Sequence, residues 1–203
     1  DAYSILNFGI DRNGIHNPVH LIAWGSGQNA LYAYVSMPFI YLFGLTVASV
    51  RAANMVFGIL SLFVFFLLVK KISNKETALL SLFLLAINPW HIMASRWALE
   101  SNLFPSIFLL AVFALVWSPE KKRMLPLSFF LFALSLYAYG TAYFVVPMFL
   151  LLVVSYLLYH KKVCVKELLF SGTVFIIIAL PIILFLIINF YKLNTIETSV
   201  FSI

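Results

Sequence analysis

At 203 residues, 64% of them hydrophobic and only 10% charged, with a mean hydropathy of +1.04, the chain lacks the polar residues to cover a water-facing surface. Soluble domains carry about a quarter charged residues, so lipid must cover this one, and the class is a polytopic helical membrane protein. The net charge of +6 falls in short clusters between apolar runs, which excludes nucleic acid as a partner, and the single cysteine, Cys164, excludes a disulfide framework.

The opening stretch DAYSILNFGIDRNG has no charged segment leading into an apolar core, so it is not a signal peptide. Beginning mid-loop on Asp1, it reads as a fragment whose first transmembrane helix lies upstream. Residues 9–32, GIDRNGIHNPVHLIAWGSGQNALY, form the first dense polar stretch. They read as an ordered outer loop docked on the membrane, with Asp11, Trp24 and Gln28 as candidate substrate-binding groups. GSG is no phosphate loop, since neither a strand before it nor a lysine after it completes the pattern. His16 and His20 are a weak metal pair, because Pro18 between them disfavours the helix that would align them. The next run, ALYAYVSMPFIYLFGLTVA, is interrupted by Pro38 and Gly44 and is short for a span. A helix over 31–43 lying along the outer interface is expected, since aromatic residues suit that depth; a tilted crossing is the alternative.

Apolar runs then follow at 52–69, 77–94, 102–118, 125–142, 143–159 and 167–190, about six crossings of bilayer length. Nine of the thirteen Lys and Arg sit in the loops around 70–76, 119–124 and 160–167. The positive-inside rule puts those loops in the cytoplasm, and with them Glu76, Glu120 and Glu167 as salt-bridge partners. The stretch 94–101, the turn near 141–144 and residues 1–51 then lie outside. The domain reading is an extracytoplasmic loop over 1–51, a bundle over 52–190, and the start of another outer loop over 191–203.

The outer stretch NPWHIMASRWALES, residues 88–101, is where chemistry concentrates. Asn88 and Pro89 break the helix early, and Trp90 and His91 bring stacking and polar surface to the same mouth. Arg96 and Glu100 are four apart, so on one helix they would share a face. The bland reading is a structural ion pair. The functional reading is a guanidinium for a phosphate and a carboxylate for a metal, a base or an acceptor. An ionisable residue at the membrane surface is costly and usually has a reason.

The stretches DAYSILNFGIDRNG, PVHLIAWGSGQNALYAYVSMPFIYLFGL, SVRAANMVFGILS, INPWHIMASRWALESNLFP and LYAYGTAYFVVP resemble bacterial membrane glycosyltransferases of the GT-C type. These are the relatives of protein O-mannosyltransferases and lipid A aminoarabinose transferases, and the resemblance runs in order over nearly the whole chain. It implies an all-α polytopic bundle whose first extracytoplasmic loop carries interfacial helices. It also implies transfer of a sugar from a polyprenyl-phosphate donor to an acceptor outside the cell membrane, which may be protein, lipid or cell-envelope glycan. The family's catalytic aspartate lies shortly before the AYS stretch, so the resemblance sets it upstream of Asp1. Its second outer-loop acid corresponds to Glu100, where many relatives have Asp, with Arg96 before it.

Where lipid A-type relatives carry a lysine, this sequence has Tyr137 and Tyr139, so Arg96 and Arg51 are the expected phosphate-binding groups. Tyr137, Tyr139 and His91 join the candidate substrate-binding residues. No cofactor is implied beyond a divalent cation, for which Glu100 is the candidate ligand. Two other classes are a lipid or sugar transporter, which would show charged midplane helices or internal repeats, and a non-catalytic donor-binding subunit.

Overall fold

The structure is a computed structural model, and it describes residues 1–23, 26–193, 198, 201 and 202. Among them are nine helices and one two-stranded sheet. The first segment holds α1 (Ala2–Phe8), the hairpin β1 (His20–Ala23) and β2 (Ser26–Asn29), and α2 (Leu31–Phe43). The strands pair antiparallel, His20 opposite Asn29 and Leu21 opposite Gln28. This hairpin is absent from the all-α expectation. Helix α2 has the expected bounds and is 13 residues long, about 20 Å at 1.5 Å per residue, against a bilayer core of about 30 Å. Gly44, at a φ of 71°, turns the chain out of α2, and a reciprocal Thr46–Ser49 capping box starts α3 (Val47–Ile72).

Helix α3 is 26 residues long and contains Arg51 near its start. After it come α4 (Lys75–Ala86), α5 (Pro89–Arg96), α6 (Glu100–Trp117), α7 (Met124–Ser135), α8 (Ala142–Tyr159) and α9 (Val165–Tyr191). Four of these, α3, α6, α8 and α9, are long and apolar enough to cross a membrane. Helices α4 and α5 would make a fifth as one span bent by 59°. The chain is thus a multi-pass membrane protein, with four or five candidate spans where six runs were expected.

The run at 125–142 accounts for one difference, because α7 stops at Ser135. Continuing the helix would require the Leu136 and Tyr137 carbonyls to accept from residues 140 and 141. Instead Leu136 O accepts from Asn29 Nδ2 at 2.9 Å, and Tyr137 O accepts from Leu31 N at 3.1 Å. The hairpin and α2 capture the acceptors that further helical turns need. The same two bonds, with Asn29 Nδ2 to the Tyr143 hydroxyl at 3.0 Å, dock the hairpin and α2 on the α7–α8 turn.

The main core lies among α6, α7, α8 and α9, where Phe132, Ala111, Ala133, Val146, Ala179 and Ile182 are nearly inaccessible. Small residues let helices approach closely where lipid supplies no hydrophobic drive. Gly58 of α3 does the same against α5, since a Cβ there would overlap the Ser95 side chain. The lysine-rich loops meet at one end of the bundle. Lys71 pairs with Glu120, Lys122 pairs with Glu167 at 2.8 Å, and Lys71 and Lys121 lie over the Trp117 ring. Glu76, expected to pair likewise, sits instead in the first turn of α4 without an ion-pair partner among the described residues.

Candidate functional site

The opposite end of α3 and α6 carries the polar residues. Asn88 caps α5, its side-chain oxygen accepting from the backbone N–H groups of Trp90 and His91, and Pro89 takes the first helical position. The chain therefore bends at Asn88–Pro89, as its sequence suggests. Arg96 and Glu100 do not share a helix, however. Helix α5 ends at Arg96 and α6 begins at Glu100, with Trp97 and Leu99 in extended conformations between them. Asn54 of α3 holds this linker: its Nδ2 donates to Trp97 O at 2.6 Å and to Leu99 O at 2.8 Å. Asn102 Nδ2 adds a bond to Ala94 O at 3.1 Å.

The split sends the two charges to separate cavities. Arg96 joins Arg51 in a groove of about 410 Å³ walled by Pro89, Ile92, Met93 and Trp97. Both arginines are exposed, and neither has an ion-pair partner among the described residues. Each guanidinium offers a planar fork of donors whose geometry can match a phosphate.

Glu100 lies instead in a cleft of about 460 Å³ with Arg12, Gln28, Leu99, Ser101 and Tyr139. It is partly buried, and its Oε2 is shut off from solvent without a hydrogen-bond partner among the described residues. A polar atom left in that state costs about 1–3 kcal/mol, which a donor on a bound molecule would offset. Arg12 forms the far wall, its Nη2 donating to Ile22 O at 2.6 Å and its Nε lying 3.4 Å from Asp1 Oδ1. Sequence reasoning missed Arg12, because a lone arginine in a polar loop carries no signal of what it will face. Asn54 and Asn29 were missed for the same reason, since each acts through bonds to distant backbone.

Of the other expected residues, Gln28 and Tyr139 do reach the Glu100 cleft. Asp11 does not, because its buried carboxylate accepts from the N–H groups of Asn13 and Ile15 and closes its own loop. Tyr137 is also turned away, its hydroxyl donating to Ile178 O at 2.6 Å. Burial pushes that phenol up to about 12, which keeps it a donor. His91 lines a third cavity, of about 880 Å³, on the other side of α5. Trp24 falls outside the described residues. Among the described residues no three of His, Cys, Asp and Glu converge on one point. One carboxylate and the Gln28 amide are by themselves too few to cage a divalent cation.

Asn54 gives a direct test of how this arrangement is held. Asn54→Ala leaves two linker carbonyls without their donor, and is expected to cost about 2 kcal/mol or more. A clear fall in the thermal unfolding midpoint in detergent is the expected readout, and an unchanged midpoint would show that the linker holds itself.

Several membrane-length helices, with two guanidiniums on one groove at one end, define a multi-pass membrane protein. Residues 29–192 match the model of the dolichyl-phosphate-mannose-protein mannosyltransferase family, and the chain belongs to that family. Membership makes it a membrane glycosyltransferase of the mannosyltransferase-like kind. No curated relative and no solved structure matches the chain.

Proposed function

We propose that the protein transfers a sugar from a polyprenyl-phosphate donor to a hydroxyl acceptor on the extracytoplasmic side of the membrane. The observation that carries this reading is the pair of arginines, Arg51 and Arg96, without ion-pair partners among the described residues, on one groove at the end of the bundle away from the lysine-rich loops. In such a transfer the acceptor oxygen bonds to the anomeric carbon as the bond from that carbon to the phosphate oxygen breaks. Charge then develops on the departing lipid phosphate. Guanidiniums facing that phosphate bind the donor and go on offsetting its charge as it departs. Glu100, a carboxylate with a buried free oxygen, suits the acceptor side, where it would take the hydroxyl proton.

The family's description names a dolichyl-phosphate-mannose donor and a protein acceptor. The donor class in that description agrees with the proposed lipid phosphate. Residues 1–51 form the outer cap in this reading, with α2 along the interface. Incubating the purified protein with a polyprenyl-phosphate sugar and measuring released polyprenyl phosphate tests the activity. No release with any such donor, in folded protein that carries the segment before Asp1 where the resemblance sets the catalytic aspartate, would refute it.

The sidedness has its own test. With Cys164 replaced, single cysteines at positions 51, 96 and 100 are expected to react with an impermeant thiol reagent in intact cells. Cysteines at 71, 122 and 162 are expected to stay unlabelled until the membrane is opened. Labelling at 122 but not at 100 would invert the whole orientation.

A further inference from the structure

Helix α5 has two working faces. Pro89, Ile92, Met93 and Arg96 front the arginine groove, while Asn88, His91 and Ser95 front the cavity of about 880 Å³ behind it. These sets are spaced three and four apart, as two faces of one helix require. The second cavity is chemically unlike the first. None of its lining residues is Lys, Arg, Asp or Glu. Its apolar walls include Phe65, Leu109, Val112 and Phe149. Its polar lining is neutral, and within it Asn54, only 2% exposed, has Oδ1 with no hydrogen-bond partner among the described residues. The orientation of that amide follows from its Nδ2, which is committed to the Trp97 and Leu99 carbonyls. The free atom is therefore an acceptor, and it calls for a donor such as a hydroxyl.

We infer that this cavity binds an uncharged lipid alcohol, its aliphatic tail among α3, α6 and α8 and its hydroxyl at Asn54, and that this alcohol is the sugar acceptor. A charged headgroup has no counter-ion among the described lining residues, and burying an unpaired charge is far costlier than burying a bonded hydroxyl. The volume lies within the usual range of about 300–1,000 Å³ for small-ligand sites. Ser101 lines both this cavity and the Glu100 cleft, so the two adjoin. The acceptor role rests on the proposed sugar transfer. The alcohol oxygen would form the new bond to the anomeric carbon, its proton would pass to Glu100, and the electron pair of the broken bond would leave with the lipid phosphate.

The test uses a monoacylglycerol bearing a photoreactive tail, with the full chain in nanodiscs. Crosslinks are expected on α3 and α6 around Asn54 and Leu109, and are expected to be lost in Leu109→Trp, which fills the cavity without touching the linker or either charged site. Excess polyprenyl phosphate is expected to leave the labelling unchanged, and sugar from the donor is expected on the monoacylglycerol. Three results would overturn the inference: no saturable labelling, displacement of the probe by polyprenyl phosphate, which would make the cavity the donor-tail site, or sugar passing to a peptide hydroxyl with the lipid alcohol untouched. Saturable labelling with no transfer to any acceptor would instead support the lipid site and overturn the transferase reading.

Discussion

Glu100→Gln is expected to lower sugar transfer per folded molecule at least tenfold, about 1.4 kcal/mol of barrier, while the unfolding midpoint hardly moves. The substitution keeps size and shape and removes only the charge and one acceptor. Glu100 forms no ion pair among the described residues, and its Oε2 already lacks a partner, so the fold loses little when that oxygen becomes an amide. A purely structural carboxylate would give the reverse pattern, with lower stability and wild-type turnover in whatever remains folded. Turnover measured against the amount of folded protein separates the two. Wild-type turnover in Glu100→Gln would remove the residue from the chemistry.

Arg51→Ala and Arg96→Ala are each expected to weaken donor binding, raising the donor KM with a smaller change in kcat. A hydrogen bond to a charged group contributes about 1.5–3 kcal/mol, which is roughly 10- to 150-fold in affinity. Both side chains are exposed and free of ion pairs, so stability should stay within about 0.5 kcal/mol of wild type. Arg96→Lys is expected to recover only part of the loss, because an ammonium cannot grip a phosphate with two parallel bonds. Donor titrations at fixed acceptor would measure this, and an unchanged KM in the double variant would empty the groove of its proposed role.

The sequence is most legible where the physics is local. The bounds of α2, the bend at Asn88–Pro89 and the clustering of lysines each follow from residues within a few positions of one another. Reading fails where distant groups intervene. Arg96 and Glu100 have helical spacing, yet Asn54, more than forty residues earlier, holds Trp97 and Leu99 off the helix. The run after Met124 is apolar enough to continue, yet the bond from Asn29 to Leu136 helps end α7 at Ser135. The hairpin at His20–Asn29 escaped notice because its strands are four residues each and alternate weakly. At the candidate site, Arg51 with Arg96, and Gln28 and Tyr139 with Glu100, do gather. Asp11 was reached by polarity and Tyr137 by its place in the resemblance; Asp11 bonds the backbone of its own loop, and Tyr137 bonds that of Ile178 in α9.

The bonds from Asn29 also bear on how the protein is made. Asn29 meets the Tyr143 hydroxyl across 114 residues of chain. At about 5–20 residues per second of synthesis, Tyr143 leaves the ribosome roughly 6 to 23 s after Asn29 does. Through that interval the hairpin has no docking surface, and the Glu100 cleft has one wall short. The nascent N-terminal segment is therefore an early, waiting intermediate, and assembly of the cleft must follow insertion of the later helices. Substitutions at Asn29 would then show first as a fall in the yield of inserted protein, ahead of any defect in the molecules that mature.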